Sequence, residues 1–263
     1  MPVKNGFASG RLEHPDGRLH HIGVKEDGIT KNCILTSNLE RVKVIADTFD
    51  TAEKTGEYRE YITYKGMKNG IPISTMSVGM GCMPTAIAVE ELNHVGCTNL
   101  IKVGTCGAIQ AGVKPGTIII ATGAVRGEGA SLEYVNLQYP AVADLDILTA
   151  LIESAEELGE EPIVGILRTH DALFMESMFA HDGMEERIKP WIDLGVEGIE
   201  NEASSLLTVA SILQCKAGVI CLAVENYTDK TRMDFTKEYG DRMNTVINIA
   251  TMAFEKINDK FGK

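Results

Sequence analysis

Lys102-Val103-Gly104-Thr105-Cys106-Gly107-Ala108-Ile109-Gln110 brings a cation, a hydroxyl, a thiol and two glycines close together. It overlaps the end of a short apolar run, Asn99 to Val103, which reads as a buried strand. Glycines after a strand let the backbone turn sharply and approach a bound group, because no Cβ stands in the way. Backbone N–H groups freed by such a turn form a concave seat for an anion or a sugar oxygen. The same composition also serves a tight strand-to-loop connection that binds nothing, so other positions must decide. Arg41 is expected where a helix begins at the carboxyl end of a strand, a favoured ligand position in α/β sheets. Glu200-Asn201-Glu202 sets two carboxylates about an amide where a strand runs into a helix. The helix dipole favours carboxylates there in any case. The pair also makes a polar site just past a strand end.

The elements that must hold these residues follow from periodicity. Strands are expected at Cys33–Thr36, Tyr58–Tyr64, Ile71–Ser77, Asn99–Val103, Gly116–Ala124, Ile163–Arg168, Val196–Glu200 and Lys216–Val224. Helices are expected over about 40–49, 82–95, 143–158, from Ala203 through Leu213, and 242–260. Asp171 to Pro190 reads as a less regular region. Strands and helices alternate without a linker or repeat, which predicts a single three-layer α/β/α domain over residues 1–263 with a central mixed sheet. Arg41, the Gly79–Gly81 loop, Lys102–Gly107, Glu200–Glu202 and Asn226 all fall at strand carboxyl ends. Five such ends meeting in one crevice would make a small-molecule site.

Composition narrows the partners. The net charge of −12 argues against a nucleic-acid backbone or an anionic membrane surface. An anionic substrate would need locally gathered cations. The six cysteines form no C-x-x-C pair and mostly sit in apolar runs, so reduced buried thiols are expected rather than disulfides or a zinc site. His14, His20 and His21 lack further ligands at metal-binding spacing. The start carries no apolar signal region and no stretch is long and apolar enough to span a bilayer, so a cytoplasmic protein is expected.

At GMGCMPTAIAVEEL (Gly79–Leu92), GTCGAIQ (Gly104–Gln110), VRGEGASL (Val125–Leu132) and GVEGIENEASSLL (Gly195–Leu207) the chain resembles the nucleoside phosphorylase family of uridine phosphorylases and hexameric purine nucleoside phosphorylases. It is more similar to the uridine phosphorylase branch. The resemblance implies reversible phosphorolysis of a nucleoside to free base and (deoxy)ribose 1-phosphate, with inorganic phosphate as co-substrate and no resident cofactor or metal. By motif, Ser37, Arg41, Lys102 and Thr105 would surround phosphate, with Arg59 reaching it from a neighbouring subunit. Glu202 would hold the ribose 2′- and 3′-hydroxyls with Asn201 beside it, and His21 would reach the 5′-hydroxyl across the interface. Cys106, Gly107, Phe174 and Glu200 would lie along the base, and Asn226 would face it as a catalytic group beside Glu202. Active sites shared in this way imply a homodimer at least, and the family suggests a hexamer.

Several positions depart from the family pattern. Ser37 stands where the phosphate loop carries glycine, and Lys102 replaces an arginine, keeping the charge but losing the bidentate fork. Asn201 replaces a methionine. The glutamine and arginine that read uracil fall near Ser177 and Phe179, and Asn226 replaces the aspartate that protonates a purine. Glu60 would contribute to the monovalent-cation site of some relatives, where Pro84 now replaces the partner serine. The base is therefore left open. Two further readings stand beside a phosphorylase: a nucleosidase that uses water, and a nucleoside- or base-binding protein without catalysis.

Overall fold

The computed structural model describes residues 13–180 and 182–261. β1 (Asn32–Thr36) runs into α1 (Leu39–Ala46), whose first turn is capped by the Asn38 side chain accepting from the Arg41 backbone N–H at 3.0 Å. β2 (Thr51–Tyr58), β3 (Tyr61–Lys68) and β4 (Ile71–Ser77) form an antiparallel meander. α2 (Cys82–His94) leads to β5 (Asn99–Ala108) and β6 (Ile118–Gly127). The short α3 (Ala130–Tyr134) and β7 (Ala141–Val142) precede α4 (Leu145–Glu157), whose N-cap Asp144 accepts from the backbone of Asp146 and Ile147. β8 (Ile163–His170), α5 (Met184–Asp193), β9 (Val196–Glu200) and α6 (Ala203–Ile212) follow. β10 (Lys216–Asn226), β11 (Thr231–Arg232) and α7 (Tyr239–Phe261) complete the chain.

The strands form one mixed sheet, as the sequence predicts, in the order β11-β10-β6-β8-β9-β5-β1-β4-β3-β2, with β7 paired to β6 off this path. β10 pairs with β5 as well as β6, so β5, β9, β8, β6 and β10 also close into a ring. Apolar residues of α2 and α6 pack one side of the sheet, while α4, α7 and Ile45 of α1 pack the other. A smaller cluster joins Ile188 on α5 to Ile109, Val196, Ile199 and Tyr227.

Strand pairing makes the cleft. β1 pairs with β5 only over Asn99–Lys102, and β9 meets β5 only at Gly107 and Ala108. β1 and β9 thus part between Val103 and Cys106, the kind of divergence at which α/β sheets bind ligands.

Three local expectations change. Gly104–Gly107 is not a turn after a strand: β5 continues straight through Ala108, because β10 pairs with its whole length. The strand expected over Tyr58–Tyr64 is a hairpin turning at Arg59-Glu60, with Arg59 at φ 54°. β2 is largely exposed and polar (TAEKTGEY), so no apolar alternation announces it. The irregular stretch before Pro190 holds α5, which has a single fully buried residue, Ile188, and so shows only a narrow stripe. All six cysteines are free and buried. Among the described residues no helix is long and apolar enough to cross a membrane.

Candidate active site

The alternation of β5 sorts its residues by face. Leu100, Cys106 and Ala108 pack with α2 and α6, whereas Ile101 and Val103 pack on the α4–α7 side. Lys102 belongs to the first face. Its ammonium lies 2.5 Å from Glu200 Oε2 and 2.7 Å from Glu202 Oε2, and all three side chains are almost wholly buried. Gly104 makes this seat: a Cβ there would stand 3.2 Å from Lys102 Nζ. The Glu200 carboxylate also accepts from Thr169 Oγ1 at 2.5 Å and from the backbone N–H of Glu202 and Ala203 at the start of α6. The other oxygen of Glu202, Oε1, accepts from Gly81 N–H at 2.7 Å. The Gly79–Gly81 loop, β5 and the β9–α6 junction therefore meet, as three of the five strand ends were expected to.

Charge and burial oppose each other here. Burial alone would push the Glu200 carboxyl up, yet the Lys102 charge and the hydrogen bonds from Lys102, Thr169 and the Glu202 backbone hold it below the usual range. Burial would pull Lys102 down, and the charges of Glu200 and Glu202 raise it well above its ordinary value. The cluster of one ammonium and two carboxylates thus carries a net negative charge inside the protein.

Arg41 meets β5 at the backbone of Val103. Its guanidinium donates to Thr36 Oγ1 at 2.9 Å, to the Val103 carbonyl at 3.4 Å and to Tyr239 Oη at 2.7 Å. Thr105, half-buried, shares the Val103 face by alternation. Ser37, also half-buried, links β1 to α1 beside them. Lys102 and Arg41 thus share no hydrogen-bond partner among the described residues: the ammonium is paired to the acidic corner, and the guanidinium to Thr36, Val103 and Tyr239.

Arg59 and His21 stand apart. Arg59 is exposed at the β2–β3 hairpin tip, 5.4 Å over the Tyr58 ring. Its neighbour Glu60 packs against Gly79, at the edge of the corner. His21 Nδ1 is 2.6 Å from Glu91 Oε1 on α2, and Glu91 also accepts the backbone N–H of His21 and Ile22. Among the described residues no hydrogen bond or ion pair links Arg59 or His21 to Lys102, Glu200 or Glu202 within one chain.

The residues named along the base divide. Asn201 Nδ2 donates to the His170 carbonyl at 2.7 Å. The Cys106 thiol is buried and raised, chiefly by its hydrogen bond with Cys221 and by burial. Gly107 is overlain by Tyr227, whose ring would collide with any Cβ. Phe174 is largely exposed. Asn226 is committed elsewhere. Its Nδ2 donates to the Gln110 and Val113 carbonyls, and its Oδ1 accepts from the N–H of Thr228 and Asp229. An amide has two donors and two acceptor positions, so Asn226 is fully used in fastening this turn and has nothing left for a base.

Sequence reasoning missed Thr36, Thr169, Tyr239 and Glu91, which orient the named residues. It also missed a buried group on β8 and the turn after it. Arg168 grips Glu176 through two bonds, Nε to Oε2 at 2.7 Å and Nη2 to Oε1 at 2.9 Å. The guanidinium stacks 4.2 Å over Trp191.

A match to the Phosphorylase superfamily spans residues 31–257. The chain belongs to that family. Its relatives include the uridine phosphorylase of Thermococcus kodakarensis, 36% identical over 85% of this chain and 83% of the relative. The guanosine phosphorylase of Halorubrum lacusprofundi is 37% identical over 76% and 80%. The uridine phosphorylase of Escherichia coli is 33% identical over 77% and 86%. Membership agrees with the resemblance carried by the motifs from Gly79 to Leu207, and with the mixed sheet.

Proposed function

We propose that this chain is a nucleoside phosphorylase, cleaving a nucleoside with phosphate to free base and pentose 1-phosphate. The observation that carries the reading is the buried Lys102–Glu200–Glu202 cluster at the point where β1 and β9 part, with Arg41 bound to the same strand at Val103, two residues before Thr105. The family match and the uridine and guanosine phosphorylases among the relatives support the same activity.

Each carboxylate oxygen of Glu202 has one partner, Lys102 or Gly81 N–H. A second acceptor position remains on each, which suits the paired 2′- and 3′-hydroxyls of a ribose. The net negative charge of the cluster favours the positive charge that grows on the sugar as the glycosidic bond breaks. Arg41 has committed three N–H contacts. Of its five donors two are then free for a phosphate oxygen, with Thr105 two residues along the strand from the Val103 carbonyl it grips. Arg59 and His21, exposed or half-buried away from the corner, suit contributions to a neighbouring subunit's site in a dimer or larger assembly.

The test is base release from a panel of pyrimidine and purine nucleosides, with and without inorganic phosphate. Phosphate-dependent release, with pentose 1-phosphate formed in equal amount, is the expected result. Release that ignores phosphate would make the chain a nucleosidase. Binding without turnover would leave a nucleoside-binding protein.

A further inference from the structure

His170 ends β8, two residues beyond Arg168 and therefore on the same face of the strand. Its side chain is 4% exposed, and Nδ1 lies 3.8 Å from Glu176 Oε2. Nε2 is buried with no hydrogen-bond partner among the described residues. A buried polar atom left unpaired is costly, so it calls for an occupant. The place is telling: the His170 carbonyl holds Asn201, which sits between the two carboxylates of the sugar corner.

The chemistry of Nε2 follows from its surroundings. Burial lowers the imidazole pKa, Glu176, Glu200 and Asp171 favour the charged form, and Arg168 opposes it; the net direction is down. The ring is then neutral near pH 7. With a carboxylate facing Nδ1, the single ring proton belongs on that side, and Nε2 presents a lone pair. Arg168 and Trp191 fix Glu176 and so fix the tautomer.

We infer that His170 Nε2 accepts a ring N–H of the bound base, so that the site takes lactam bases over amino bases. Uracil and the 6-oxopurines carry such an N–H. Cytosine and adenine present a ring nitrogen lone pair at the equivalent position, which would face the Nε2 lone pair. His170 is thus a specificity-determining residue, held in register by Glu176 and Arg168. The inference rests on the phosphorylase reading for the placement of the base beside Glu202.

The experiment has a turnover arm and a binding arm. In the first, kcat/KM is compared for uridine against cytidine and for inosine against adenosine, in the wild type, His170→Ala and Glu176→Gln. The wild type should favour the lactam member of each pair by roughly 10- to 100-fold. His170→Ala should bring the ratios towards one with the phosphate KM unchanged, and Glu176→Gln should narrow them. Acidification that protonates His170 should also narrow them, since Nε2 then donates. A merely structural role would lower all four substrates alike and leave the ratios standing, which would overturn the inference. In the second arm, calorimetry on the wild type compares uracil with cytosine and hypoxanthine with adenine, so the answer does not depend on a variant folding. Equal binding within each pair would overturn the inference even if phosphorolysis is robust. Selective binding without turnover would sustain it and overturn the phosphorylase reading instead.

Discussion

Lys102 Nζ lies 2.7 Å from Glu202 Oε2 while Gly81 N–H holds the other oxygen of that carboxylate at 2.7 Å. The lysine, expected from the resemblance beside phosphate, is thereby an anchor of the Glu202 carboxylate. A buried ion cluster that loses its cation is left with uncompensated charge. Lys102→Met should destabilise the protein by about 3–5 kcal/mol, read as a lowered urea midpoint. In the fraction that remains folded, the nucleoside KM should rise more than the phosphate KM. A rise confined to the phosphate KM would return Lys102 to the phosphate.

The same cluster sets an acid limit. Because Glu200 is held below the ordinary carboxylate range when folded, the unfolded chain takes up its proton first as pH falls. Its contribution is fully present above about pH 4.3, the usual glutamate value, and is lost as pH drops through the lower folded value. The gap in urea midpoint between wild type and Glu200→Gln should be constant from neutral pH down to that point and close below it. A gap that widens on acidification would mean the carboxyl is raised, not lowered, in the folded protein.

The regular core of this fold is legible because burial writes it into period. The apolar runs of β1, β4, β5, β6 and β10 and the stripe of α4 announce themselves, and Glu200 and Glu202 stand out as charges at a junction between apolar elements. What stays hidden depends on residues remote in sequence. Tyr239 on Arg41 and Thr169 on Glu200 are hydroxyls with no local pattern, brought in by α7 and β8. β2 is a polar edge strand, and α5 buries too little to show its face. Cut short at Val103, β5 conceals that Cys106 and Ala108 alternate onto the Lys102 face. His170 and Glu176 become a pair only because the chain turns back over the end of β8.

Asn226 separates a positioning role from a chemical one. Its amide closes the turn through Gln110, Val113, Thr228 and Asp229, all by backbone groups. Asn226→Ala strands those groups and should cost about 2–4 kcal/mol of stability, visible as a lower thermal midpoint. Turnover per folded molecule, measured well below that midpoint, should stay within a few-fold of wild type. A collapse of kcat with stability intact would restore Asn226 to the chemistry.

Arg59 and Glu202 offer the sharpest test of a shared site. Arg59 is exposed at a hairpin tip in the left-handed region, and its neighbour Glu60 lies against Gly79 at the rim of the corner. A guanidinium held outward there contributes to the anion only if another copy presents its own corner to it. Arg59→Ala and Glu202→Ala should each be nearly inactive as pure proteins. Unfolded together in equal amounts and refolded, half of the dimers would be mixed, and each mixed dimer would carry one site with both residues intact. By symmetry about a quarter of wild-type activity should return, measured as phosphate-dependent base release. If the mixture stays as inactive as its components, each site is built from one chain, and Arg59 has no part in its neighbour's chemistry.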